Sequence, residues 1–228
     1  MIDTLFLDLD DTILDFHKAE AVAIAKTFRS LDIEPSEENI SLYSRINDSQ
    51  WKRLEKGELT REQVLSTRFS LLFEALGIER SVAMARGLYE TLLGQGHFFI
   101  DGAETLLRDL CGKYRIYIAS NGTARIQKGR IESSGIAKYV DRIFISSEIG
   151  VNKPSKEFFD YCFDAVGGVD RERTLMVGDS LSSDILGGKN AGIKTCLYNP
   201  HKRENTTQII PDYEIHNLSE LPSLLSKI

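Results

Sequence analysis

At 228 residues, 42% hydrophobic and 27% charged, the chain has the make-up of a globular protein with room for a large core and an inserted unit. A formal charge of −6 offers no basic surface for a polyanion, which argues against a nucleic-acid polymer as partner, and no apolar run reaches the length of a membrane span. Met1-Ile2-Asp3 lacks the positive start of a leader, and Cys111, Cys162 and Cys196 are scattered without a CxxC pair, so free thiols in a reducing cytoplasm are expected.

The first element expected is a buried strand ending Leu5-Phe6-Leu7, and it runs straight into Asp8-Leu9-Asp10-Asp11-Thr12. Asp is a poor strand former, and carboxylates are seldom buried unless paired or bound to a cation. After Leu14 the pattern turns helical. Ala21, Ile24, Ala25, Phe28 and Leu31 form one stripe, and Ile40, Tyr43, Asn47, Trp51 and Leu54 form a second after Pro35-Ser36. Thr60 with Gln63 reads as a capping box for a third helix that stops at Gly77, and a fourth runs from Ser81 to Leu93 before Gly94-Gln95-Gly96. Four helices without an intervening strand indicate an inserted bundle, residues 15–97, between core segments 1–14 and 98–228.

From Asp101 onward helices and strands alternate. Asp101 and Glu104 read as a capping pair for a helix through Leu110. Strands are expected at 115–119, 142–145, 174–177 and 194–197, with helices at 124–133, 156–166 and 184–190, then a polar loop and a last helix after Ser219. This alternation predicts an α/β fold, a doubly wound parallel sheet of Rossmann-like type carrying the helical bundle as a cap. In such a sheet the carboxyl ends of the strands share one edge, so Asp8, Asp10, Thr12, Ser120, Asn121, Asp179 and Asp184 are expected to converge with Lys153.

The segments Asp8 to Thr12, Ser120-Asn121-Gly122, Lys153-Pro154 and Gly178 to Asp184 together resemble the haloacid dehalogenase-like phosphohydrolases with a helical cap. The resemblance is closest to the pyrimidine 5′-nucleotidases of that group. It implies a Mg²⁺-dependent phosphomonoesterase acting through an aspartyl-phosphate, on a small phosphate ester such as a nucleoside monophosphate. It also implies Asp8 as nucleophile, Asp10 as acid and base, and Asp8, Asp179 and the Asp10 carbonyl as metal ligands, with Asp184 behind them. Ser120, Asn121 and Lys153 would bind the phosphoryl group, and Thr12 would steady Asp10. Asp11 departs from the resemblance, since many relatives carry Gly there.

A sugar-phosphate phosphatase or a phosphomutase keeps the same motifs. A phospho-receiver also uses clustered Asp and Lys on a parallel sheet, but its chain is shorter and has no helical insertion, and a silent binding protein would be expected to have lost part of the constellation. In the second stripe, Tyr43, Asn47 and Trp51 lie at i, i+4 spacing, and two readings stand: core packing, or an aromatic and amide face that holds a base, with Asn47 and Trp51 setting specificity.

Overall fold

The computed structural model describes residues 1–228. β1 (Thr4–Leu7) is buried at all four positions, as a strand covered on both faces must be. Four helices follow it: α1 (Phe16–Ser30), α2 (Glu37–Glu55), α3 (Arg61–Leu76) and α4 (Val82–Leu93). Each start is set by a side chain that accepts a backbone N–H of the first turn, from Asp15, Ser36, Thr60 and Ser81 in order. Thr60 and Gln63 complete the expected capping box, and Gly77 ends α3 in the left-handed conformation at φ 64°.

The remaining chain alternates: α5 (Ala103–Leu110), β2 (Arg115–Ser120), α6 (Ala124–Ser134), β3 (Arg142–Ile145), α7 (Ser146–Ile149), α8 (Lys156–Val166), β4 (Thr174–Gly178), α9 (Leu186–Asn190), β5 (Lys194–Tyr198), β6 (Tyr213–Ile215) and α10 (Leu221–Leu225). All six strands pair in parallel in the order β3-β2-β1-β4-β5-β6. Side chains alternate across the sheet. Leu5 and Leu7 enter a cluster with α5 and α10, whereas Phe6 enters another with α8, so both faces are covered. The helices between 15 and 97 pack around a cluster of their own, to which α6 adds Ile126. No helix is long and apolar enough to cross a membrane.

Three local expectations change. Asp101 and Glu104 do not cap α5; Gly102 does, at φ 77° and without a side-chain bond. The loop expected before the last helix contains β6, a strand too short to show a period. In α1 the stripe is rotated: Ile24, Phe28 and Leu31 are buried, but Ala21 and Ala25 are half-buried, while Glu20 and Thr27 join the inner face. Glu20 is tolerated there because Ser44 Oγ donates to it at 2.6 Å and Asn47 Nδ2 at 2.7 Å, and Arg68 Nη1 donates to Asn47 Oδ1 at 3.0 Å.

Burial holds the Glu20 carboxyl above its usual range in spite of these donors. A carboxyl raised on folding withholds stability above its unfolded pKa and returns it as pH falls through the folded value. Glu20→Gln is therefore expected to melt higher than wild type near neutrality, with the gap closing in mild acid. Thermal melts across that range check this, and a gap that widens on acidification contradicts it.

Candidate active site

The central strands β2, β1 and β4 deliver their ends to one place, beside the point where the strand order reverses. The Asp8 N–H donates to Val177 O at 2.9 Å, which carries the β1–β4 ladder one residue beyond β1. Lys153, 1% exposed, lies between carboxylates: its Nζ is 2.6 Å from Asp8 Oδ1 and 2.7 Å from Asp184 Oδ1, and it also donates to Ala119 O. Burial opposes charge on Lys153, but Asp184 and Asp8 outweigh it and the ammonium is held above its usual range. Burial pushes Asp8 up, Lys153 opposes, and Asp184 and Asp10 add to the rise. The carboxylate of Asp184 also accepts the Ser180 N–H at 3.1 Å. A Cβ at Gly178 would lie 2.2 Å from Asp184 Oδ2, so only glycine lets β4 pass this side chain.

Asp10 turns the other way, toward α6. Gln127 Nε2 donates to Asp10 Oδ2 at 2.6 Å, and Arg130 Nη1 donates to Asp10 Oδ1. The same Gln127 Nε2 donates to Ser120 Oγ at 2.7 Å, and the Gly122 N–H donates to that oxygen at 3.1 Å. With both acceptor sites of Ser120 Oγ taken, its own hydrogen is left for a third group, such as a phosphoryl oxygen.

One expected role changes here. The Thr12 hydroxyl is buried without a partner, so Gln127 and Arg130 steady Asp10 in its place. The Asn121 side chain is occupied by the Lys153 backbone, accepting its N–H and donating to its C=O, both at 2.8 Å, and it donates to Ser183 Oγ at 3.1 Å. It thereby fixes the loop that carries the lysine. Asp11 has φ 57° and accepts the N–H groups of Phe16 and His17 at 2.9 and 3.2 Å, so it braces the start of α1. The left-handed backbone accounts for Asp where relatives carry Gly, because both residue types adopt it.

Asp8, Asp179 and Asp184 each place an oxygen within 4.8 Å of the others, with Asp179, at the mouth of the cleft, the most exposed of the three. Enclosure by the cleft raises the Asp179 carboxyl, and Asp184, Asp8 and Asp11 raise it further. Three carboxylates against one ammonium leave negative charge that a hard divalent cation would offset, and an all-oxygen donor set suits Mg²⁺.

A model of haloacid dehalogenase-like hydrolases matches residues 2–192. The chain belongs to that family. Among similar proteins, the pyrimidine 5′-nucleotidase PynA of Streptococcus pneumoniae is 38% identical over 98% of this chain and 94% of its own. The pyrimidine 5′-nucleotidase YjjG of Escherichia coli is 35% identical over 99% of this chain and 98% of its own. The crystal structure of the HAD-hydrolase YfnB of Bacillus subtilis, bound to magnesium and described as revealing interdomain movement, has 40% identity, a TM-score of 0.94 and coverage of 98% of each chain.

In this hydrolase the turn between α2 and α3 is seated on the segments that follow β2, β3 and β4. Ser182 Oγ donates to Glu55 Oε2 at 2.7 Å, and Arg61 Nη2 donates to Ser146 Oγ at 2.6 Å, to Asn121 O at 3.2 Å and to Asn152 Oδ1. Tyr43 and Asn47 lie elsewhere. Tyr43 stacks with Phe69 and Tyr89, and the 2% exposed Asn47 has both ends of its amide engaged by Glu20 and Arg68. Trp51 is half-buried. Sequence reading missed Gln127, Arg130, Glu55 and Arg61. For the first two a signal existed, since polar residues at i, i+3 stand on the helix that follows Ser120-Asn121-Gly122.

Proposed function

We propose that this hydrolase is a Mg²⁺-dependent phosphomonoesterase that works through an aspartyl-phosphate on Asp8, with nucleoside 5′-monophosphates, pyrimidine ones foremost, as substrates. The observation that carries the reading is the pair of carboxylates at the end of β1. Asp8 is bound by Lys153 at 2.6 Å, and Asp10, two residues on, is joined to Ser120 through Gln127. A nucleophile with a second acid beside it suits an ester whose leaving oxygen needs a proton, whereas a departing halide needs none. The two pyrimidine 5′-nucleotidases at 38% and 35% identity support the choice of ester.

In this reading an Asp8 oxygen attacks phosphorus as the ester P–O bond breaks. The electron pair stays on the leaving oxygen, which takes the Asp10 proton and departs as an alcohol. Water then attacks the same phosphorus and gives a proton to Asp10. The bond to Asp8 breaks, and inorganic phosphate leaves with both carboxyl groups restored. The Ser120 hydrogen and the Asn121 backbone N–H hold the phosphoryl oxygens, and the Lys153 ammonium, its three hydrogens taken by Asp8, Asp184 and Ala119, offsets their charge from behind Asp8. Asp8, Asp179 and the Asp10 carbonyl, with Asp184 behind them, would hold Mg²⁺, which when bound would supply the positive charge that lets an anionic carboxylate approach an anionic phosphate. The Glu55 and Arg61 contacts close the 56–60 turn over the loops and exclude water during the first step. Their release would open the cleft, a movement of the kind described for YfnB.

A panel of phosphate esters tests the reading. Pyrimidine nucleoside monophosphates are expected to exceed purine nucleotides and sugar phosphates in kcat/KM by about tenfold or more. Activity should vanish in EDTA, and Mg²⁺ should raise the melting temperature, because a ligand that binds only the folded state stabilises it. Full activity in EDTA contradicts the metal, and a flat panel contradicts the nucleotide.

A further inference from the structure

Arg130 has no place in the reaction written above, yet it is one of the largest fully buried side chains of the protein, at 0% exposure. A buried guanidinium is costly unless its surroundings use it. Four groups do. Nη1 is paired with Asp10 Oδ1 and donates to Gln127 Oε1 at 3.2 Å, Nε donates to Gly96 O at 2.9 Å, and the guanidinium carbon lies 5.7 Å from the centre of the Phe16 ring. Gly96 belongs to the second linker between bundle and core, and Phe16 is the first residue of α1, beside the first linker. The second linker passes where only glycine fits: a Cβ at Gly96 would meet Ala19 Cβ at 2.8 Å, and one at Gly129, beside Arg130, would meet Gly94 O at 2.6 Å. Gln127, one turn earlier on α6, takes the other Asp10 oxygen.

We propose that Arg130 and Gln127 are positioning residues that clamp the Asp10 carboxyl group in its proton-transfer orientation, with Arg130 anchored to the Gly96 carbonyl of the cap linker. Each Asp10 oxygen accepts one clamp bond and keeps a second lone pair, so the clamp leaves room for a proton or a further donor. Without the guanidinium, one oxygen loses its partner and the side chain is free to rotate about χ1 and χ2. The lost orientation affects the step in which the proton moves and leaves phosphate binding intact. The inference rests on the reading of Asp10 as proton donor.

The test compares leaving groups. An alkyl phosphate, such as a nucleoside 5′-monophosphate, needs the Asp10 proton as its P–O bond breaks. The aryl ester p-nitrophenyl phosphate does not, because its phenolate leaves as a stable anion. Arg130→Met is expected to lose about a hundredfold in kcat/KM on the alkyl ester and no more than about threefold on the aryl ester. Arg130→Lys restores a cation near Asp10 without the Gly96 bond and should recover about tenfold of the alkyl loss. Gln127→Leu, which removes the other clamp bond and keeps the buried guanidinium, also frees Ser120 Oγ; it should lose on both esters but about tenfold more on the alkyl one, and serves if Arg130→Met does not fold. Asp10→Asn, run alongside, separates the two levels. If Asp10→Asn discriminates between the esters and the clamp variants lose equally on both, the clamp is overturned and the acid stands. If Asp10→Asn itself does not discriminate, the acid assignment fails and the clamp fails with it.

Discussion

Asp8→Asn protein is expected to fold, to bind Mg²⁺ more weakly, and to turn over phosphate esters at least about ten-thousandfold more slowly than wild type, because an amide is no nucleophile toward phosphorus. The fold should survive because the charge at Asp8 is held against burial rather than contributing to stability, and Lys153 keeps Asp184 as a partner at 2.7 Å. The substitution changes one atom and little volume, so the Val177 contact of the backbone is unaffected. Rates measured on metal-saturated protein, with a thermal melt to show the fold, check both halves. Retention of wild-type turnover would remove the covalent mechanism.

Lys153→Met is expected to cost stability as well as activity. The ammonium is buried and bound to two carboxylates and a carbonyl, so its removal leaves Asp8 and Asp184 facing each other uncompensated. Breaking a buried pair from one side costs about 3–5 kcal/mol. For a protein of this size that is a fall of roughly 10 °C in melting temperature. Two comparisons identify the cause. Mg²⁺ should recover part of the loss by restoring positive charge, and Lys153→Met combined with Asp184→Asn should melt higher than Lys153→Met alone. A single variant as stable as wild type, or a double variant less stable than the single, would contradict the charge balance drawn for the site.

What could be read without coordinates was whatever the chain writes locally. Apolar runs ending in Asp8, Ser120 and Asp179 mark strand ends, and parallel pairing brings such ends together without further information. Thr60 and Gln63 specify a cap by their own spacing, and Gly77 a helix stop. What escaped depends on partners far away in sequence. Glu20 is a surface residue by type, and only Ser44 and Asn47 make it an interior one. That pairing rotates the α1 stripe, and it engages the Asn47 amide, for which spacing alone allows either core packing or a base contact. Arg130 and Gln127 look like an ordinary polar helix face until α6 is laid against Asp10, 120 and 117 residues away in the chain. Asp11 showed the converse: its departure from the family pattern was legible, but the left-handed backbone that explains it was not.

Transfer of the phosphoryl group to Asp8 can be trapped. In Asp10→Asn protein an aryl phosphate is expected still to phosphorylate Asp8, since its leaving group needs no proton, whereas hydrolysis of the product would lack its base. Acid quench during turnover, digestion and mass spectrometry should find the mass of one phosphoryl group on the peptide containing Asp8, removed by hydroxylamine as an acyl phosphate would be. Phosphate released in an initial burst with no adduct on that peptide, or with the adduct on another residue, would contradict the mechanism.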